Sequence, residues 1–288
     1  MPVRFAGIGF AHGHLEQFLS QGVLRHDEAE LAAIADDDPG RLEAARAAFD
    51  VEATNDVDAV LARDDLDAIA LAPPNHQRPS LVAKALRAGK HVFCDKPLAI
   101  TEIGLNRVRS ALRRSGKQLY LDLPERFMEP FVLLHEALAR GAIGRPVCIL
   151  SSNPHELNPD SRPDWVWKPR QYGGLICDLL VHRVDLVRWL TGQEVVSAVS
   201  LVSSFGFMKR RPFEEAASAL LVLKDDVHAL LHTNWVAPPG RPAQGHVTVY
   251  GLKGTAFAAG YGGELVLTTS AGEERLRREA ENCNYLMC

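Results

Sequence analysis

The chain of 288 residues holds only five cysteines, at 94, 148, 177, 283 and 288, and no CxxC pair. An odd count without paired spacing suggests neither a disulfide framework nor a zinc knuckle, and makes a reducing cytoplasm the expected compartment. Aromatic residues are scarce, at 7%, and no apolar run approaches the ~20 residues that cross a bilayer. The N-terminal MPVRFAGIGF enters a strand-like run at once, without the basic-then-apolar pattern of a secretion signal. No sign of charge dominates. A net charge of −4 argues against nucleic acid or an anionic membrane as the main partner. Repeats and low-complexity stretches are also absent. What is present, 47% hydrophobic and 24% charged residues, is ordinary for a globular chain long enough for two domains.

Short apolar runs at 3–8 (VRFAGI), 30–35, 67–72, 91–94 and 118–122 read as strands buried on both faces. Helical stretches alternate with them. Asp38 followed by Pro39 marks a helix start, and 79–90 and 102–116 carry apolar residues at helical spacing before Gly89 and Gly116. This alternation predicts a doubly wound parallel sheet over residues 1–122. After a helix near 128–140 and another over about 175–190, the second half becomes strands in series. That predicts an α+β domain over 123–288 with a large mixed or antiparallel open sheet. The fold class is α/β.

The first strand runs into GIGFAHGH, residues 7–14, and then a helix expected to begin near Gly13. A strand, Gly7-x-Gly9 and a helix start form the context in which a glycine turn cradles a pyrophosphate. The third glycine position holds His12, with Gly13 one place later. Asp36 ends the second strand; it reads either as the acid that meets an adenosine ribose, favouring NAD, or as part of a polar loop before the Asp38 cap. No metal is expected at His12 and His14, because residues two apart on a helix do not face the same side.

Two further places carry chemistry. Asp95-Lys96-Pro97 follows the fourth strand-like run, in the zone where open α/β sheets bind ligands; Lys96 is either a carbonyl-polarising cation or a solvated turn lysine. In GGLICDLLVHRVDLVRWLTG, residues 173–192, an α-helix would set Asp178, His182 and Asp185 on one face. A histidine beside a carboxylate can take or return a proton near neutral pH, although a hydrogen-bonded helix histidine is the plainer reading. The preceding loop holds Trp165, Trp167, Lys168, Arg170 and Tyr172, which could cover a pocket and meet a sugar ring or an anion.

Taken in order, GIGFAHGH, AIADDDPGRLEAARAAF, IALAPPNHQRPSLVAKALRAGKHVFCDKPLA, GAIGRPV and GGLICDLLVHRVDLVRWLTG resemble the Gfo/Idh/MocA oxidoreductase family over at least residues 3–192. The resemblance implies an N-terminal Rossmann domain and a C-terminal domain whose open sheet builds a homo-oligomer, a dimer or tetramer. It implies an NAD(P)-dependent dehydrogenase acting on a secondary alcohol of a sugar-like or cyclic polyol. The family's EKP lysine falls on Lys96, its helix aspartate on Asp178 and its histidine, the base, on His182. NAD is the implied cofactor, with NADP open because Arg41 can serve a phosphate. The cofactor set is Gly7, Gly9, Phe10, Ala11, His12, Asp36, Pro73, Asn75, His76, Asp95 and Lys96. Substrate contacts fall on Lys96, Arg126, Trp167, Arg170, Tyr172, Asp178 and His182. Four departures stand out: His12 at the third glycine, Asp95 for glutamate, Leu180 for the glycine of DxGxH, and an ending at NCNYLMC that implies a missing closing strand and helix. A dinucleotide-binding regulator without turnover is the alternative reading.

Overall fold

The structure, a computed structural model, describes residues 1–206, 213–238, 245–260 and 263–278. The chain divides into two compact units. One comprises Met1–Asp122 with Pro163–Gly173, and the other Leu123–Arg162 with the described residues from Gly174 onward.

In the first unit, β1 (Val3–Ile8), β2 (Ala29–Ala35), β3 (Glu52–Thr54), β4 (Ala68–Leu71), β5 (His91–Cys94) and β6 (Leu119–Leu121) form one sheet. The order is β3-β2-β1-β4-β5-β6, and every pairing is parallel. The chain reverses direction across the sheet between β1 and β4, which makes their carboxyl ends a switch point where ligands bind. The parallel sheet follows from runs such as Ala68–Leu71, whose four residues are all buried. Strand β3 escapes the sequence pattern because EAT is three residues long and is held by pairing with Ala33–Ala35.

Helices α1 (His14–Gln17), α2 (Pro39–Ala48), α3 (Val57–Leu61), α4 (Arg78–Arg87) and α5 (Glu102–Ser115) link the strands. Asp38 caps α2 by accepting from Arg41 N–H at 2.9 Å, and Thr101 caps α5 through Gly104 N–H at 3.1 Å. The helix expected from Gly13 differs. It is a single α turn, α1, continued by a π turn over Phe18–Gly22 and a 3₁₀ turn over Val23–Arg25.

In the second unit, β7 (Pro146–Pro154), β8 (Val195–Ser203), β9 (Ala216–Leu223), β10 (His228–Asn234), β11 (His246–Gly251), β12 (Gly254–Ala259), β13 (Leu265–Thr269) and β14 (Gly272–Leu276) form an eight-stranded sheet. Only β7 and β10 pair in parallel, so the sheet is mixed. The helices α6 (Glu129–Ala139) and Val181–Thr191 cover one face; Phe131, Leu134, Leu186, Val247 and Ala256 form its core. The other face leaves Val199, Leu201, Leu220 and Leu230 exposed. Among the described residues no helix is long and apolar enough to cross a membrane. The terminal NCNYLMC, where a closing strand and helix are expected to be missing, lies outside the described residues.

Candidate functional site

The glycine turn of the first unit is shaped by its packing. Gly9 has φ +82°, and a Cβ there would lie 2.8 Å from Cα and N of Pro73, so no side chain fits. A Cβ on Gly7 would lie 2.7 Å from the Leu19 side chain. Gly13 is different: its backbone is right-handed and its Cβ direction is open, so it does not take over the role of a third close-packing glycine. Phe10 and Ala11 contribute backbone, because both side chains are buried and Phe10 packs on Phe49.

Asp36 fixes this turn. Its buried carboxylate accepts from Phe10 N–H at 2.6 Å and Asp38 N–H at 2.8 Å, and from Arg41 Nε and Nη2 at 2.8–3.1 Å. Both oxygens are thereby engaged within the protein. The exposed acid beside it is Asp37, which Arg41 also meets. Gly9, Asp36, Asp37, Arg41, Pro73 and Lys84 are among the residues lining a cavity of about 430 Å³, large enough for a nucleotide moiety.

Across the switch point, the Pro73–His76 loop is anchored rather than free. Buried Asn75 donates from Nδ2 to the Tyr172 carbonyl at 2.8 Å, and His76 N–H donates to Gln171 O at 3.2 Å. Burial pushes the His76 imidazole pKa down. The partner segment ends in the short helix Pro169–Tyr172; there Tyr172 is buried against Trp165, Trp167 is half-buried and Arg170 is exposed.

Sequence reading missed the residue that joins these loops. Arg78, 1% exposed, donates from Nε to Pro73 O at 3.0 Å, from Nη1 to Lys96 O, and from Nη2 to Asp95 Oδ2 at 2.8 Å. A guanidinium with five fixed donors suits such a junction, but an arginine before a helix proline carries no sequence signal of it. Lys96 itself is buried at the carboxyl end of β5. Burial alone would raise the Asp95 pKa; Arg78 and the histidines His14 and His12 outweigh it and hold the carboxyl below the usual range. Buried Asp122, just past β6, is pushed up to about 6 by burial and by the Asp95 charge, against the pull of His14, Lys96 and Arg78.

The helical-spacing argument against His12 and His14 meeting does not hold. His12 precedes α1, and the two ring centroids lie 4.0 Å apart. Asp95 joins them, with His14 Nδ1 at 3.0 Å from Asp95 Oδ1.

In the second unit, Gly174 has φ +89°, and a Cβ there would lie 2.6 Å from the Glu214 carboxylate. That carboxylate accepts from Leu175 N–H at 2.6 Å and starts the helical segment. The segment is not the continuous α-helix expected: Ile176–Leu180 is a π turn, and the α-helix Val181–Thr191 follows. Asp178 and His182, both half-buried, thus straddle a π-to-α junction, a feature frequent at functional sites. Asp185 has a partner of its own. It is buried and paired with Arg126, whose Nε donates at 2.6 Å. Leu180 is 1% exposed within the core, so the residue that replaces glycine packs inward. A second unforeseen cluster is the buried pair of Arg183 with Glu125, 3.0 Å apart, which Asn153 joins.

Comparison with known proteins fits this architecture. Residues 3–123 match the model of the oxidoreductase family with an NAD-binding Rossmann fold, and residues 131–257 match the GFO/IDH/MocA C-terminal domain. Inositol 2-dehydrogenase of Rhizobium meliloti is 29% identical over 69% of the chain. The chain covers only 58% of that relative's length. An oxidoreductase of Erwinia carotovora atroseptica superposes with a TM-score of 0.89 at 26% identity, over 98% of this chain and 87% of that one. The WlbA dehydrogenase of Bordetella pertussis, solved with NADH and UDP-GlcNAcA, gives 0.81 at 26% identity, over 90% and 74%.

Proposed function

Because the chain belongs to the Gfo/Idh/MocA oxidoreductase family, we propose that it is an NAD-dependent dehydrogenase moving hydride between nicotinamide and a secondary alcohol or ketone of a sugar-like or cyclic polyol. The observation that carries the reading is the glycine turn no side chain can enter; within the second unit, the Asp178–His182 junction behind a positive-φ glycine supports it. The family names of the relatives, all for oxidation or reduction, favour turnover over a purely regulatory role.

The turn at Gly7–Gly9 and the cavity beside Asp36 and Asp37 fit a dinucleotide: the first lets a pyrophosphate approach backbone, and the second has room for the adenosine. Asp36 serves it indirectly, by holding Phe10 and Asp38 N–H groups in place. Arg41 and Lys84 also line the cavity and can meet a 2′-phosphate, so NADP is to be tested beside NAD. When bound, the nicotinamide accepts or returns the hydride. His182 takes the substrate hydroxyl proton, Asp178 orients the imidazole, and Lys96 stabilises the developing alkoxide. Arg126, Trp167, Arg170 and Tyr172 stand as substrate contacts of lower rank, since Arg126 is already forked onto Asp185 and Tyr172 is buried. The exposed apolar face of the eight-stranded sheet supports a homo-oligomer.

The test is His182→Ala. Turnover is expected to fall roughly 100- to 10,000-fold, the range of general-base catalysis, while NAD affinity changes little. Wild-type turnover in the variant would sink the assignment.

A further inference from the structure

Three potential ligands meet beside the glycine turn: one ring nitrogen each from His12 and His14 and one carboxylate oxygen of Asp95, all within 4.8 Å of one another. From this geometry we propose that His12, His14 and Asp95 form a binding site for a first-row transition-metal dication.

The carboxylate is prepared for the role. Asp95 is 3% exposed, and Arg78 Nη2 holds its Oδ2 at 2.8 Å, leaving Oδ1 toward the histidines. Outer hydrogen bonds of this kind orient ligating carboxylates in metal sites. His14 Nδ1 and Asp95 Oδ1 lie 3.0 Å apart, a hydrogen-bond distance, and a few tenths of an ångström of ring movement opens it to the roughly 3.3–3.6 Å edge of a tetrahedral ion with bonds of about 2.0–2.2 Å. All the separations are within 4.8 Å, and rotation of the two half-buried imidazoles closes them, since His12 stands ahead of α1. His12 Nδ1 faces His14 N–H at 3.4 Å, which turns its ring toward its neighbour.

Donor type narrows the ion. Two imidazoles and one carboxylate suit Zn²⁺, Co²⁺ or Ni²⁺, whereas Mg²⁺ and Ca²⁺ favour all-oxygen sets. Three protein donors also leave a position for water or another exogenous oxygen. The arrangement depends on His12, the residue standing where a third glycine would be, so the departure that weakens the phosphate-turn pattern completes the ligand set. The inference rests on ligand geometry and stands or falls separately from the dehydrogenase reading.

The experiment uses the full chain without an affinity tag, treated with chelator and titrated with Co²⁺ and Zn²⁺ by calorimetry and visible absorbance. The expected result is one equivalent bound, with d–d bands, no thiolate charge-transfer band, and a Kd on the order of 10 µM or tighter. His12→Gln and His14→Gln, each checked by circular dichroism for retained fold, should each weaken binding at least ~10-fold. Failure to bind one equivalent, a thiolate band pointing to Cys148 or Cys177, or binding untouched by both substitutions would overturn it.

Discussion

Asp122→Asn isolates the electrostatics of the first unit. In the wild type the Asp122 carboxyl is 4% exposed, and burial together with the neighbouring Asp95 charge raises its pKa from 3.8 to about 6. The unfolded chain has no such penalty. Below pH 3.8 the group is protonated in both states, and the native state loses nothing through it. Between pH 3.8 and about 6 the unfolded chain ionises while the native carboxyl stays protonated, so stability falls as pH rises and levels off above about 6, where both states are ionised. A shift of about two units corresponds to ~3 kcal/mol at full development. The asparagine removes that pH-dependent penalty, whatever constant difference it adds through altered hydrogen bonding. Relative to wild type, the variant should therefore gain up to ~3 kcal/mol between pH 4 and pH 8, seen as a Tm difference that widens by roughly 5 °C or more. Thermal melts of both proteins across that range are the assay. A pH-independent offset between the two curves, or one that changes with the opposite sign, would refute the reasoning.

Glu125→Gln removes the counter-charge of Arg183, which is 1% exposed, and should cost about 3–5 kcal/mol, read as a Tm lowered by several degrees. An unchanged Tm would show that the pair is not the buried network described. Gly9→Ala sets a Cβ 2.8 Å from the Pro73 backbone at φ +82°. NAD binding should weaken at least ~10-fold as the turn shifts, with the left-handed backbone alone costing about 1–2 kcal/mol; an unaltered Kd would count against the turn's role. Leu180→Gly restores the family's glycine but empties a core position, and should cost at least ~3 kcal/mol without raising kcat. A stable variant with faster turnover would place Leu180 at the substrate instead.

The parallel sheet was legible because its strands are buried on both faces and write themselves as unbroken apolar runs, as Ala68–Leu71 does. Asp38 and Gly116 likewise act locally, one through an N-cap and one through φ +63°, and both marked helix ends in the sequence. Elements fixed by partners were not legible. Strand β3 exists only through β2, and the π turn at Ile176–Leu180 looks like any helical run of hydrophobic residues. The same holds at the site. Asp36 and the Gly7-x-Gly9 turn were visible from position, but the meeting of His12 with His14 needed the bend before α1, and Arg78 needed three loops that only the folded sheet brings together. Local periodicity also gave no sign of the ion pair of Asp185 with Arg126, because it is made at long range.

The central claim is hydride transfer to or from a bound nicotinamide. Its most direct measurement is the nicotinamide absorbance of purified protein with NAD, and with NADP in parallel, across a panel of inositols, aldoses, anhydro-sugars and sugar acids. The account predicts reduction of the cofactor with at least one polyol or sugar, falling with His182→Ala and with Lys96→Ala. Dinucleotide binding with no turnover on any member of the panel in either direction would contradict it.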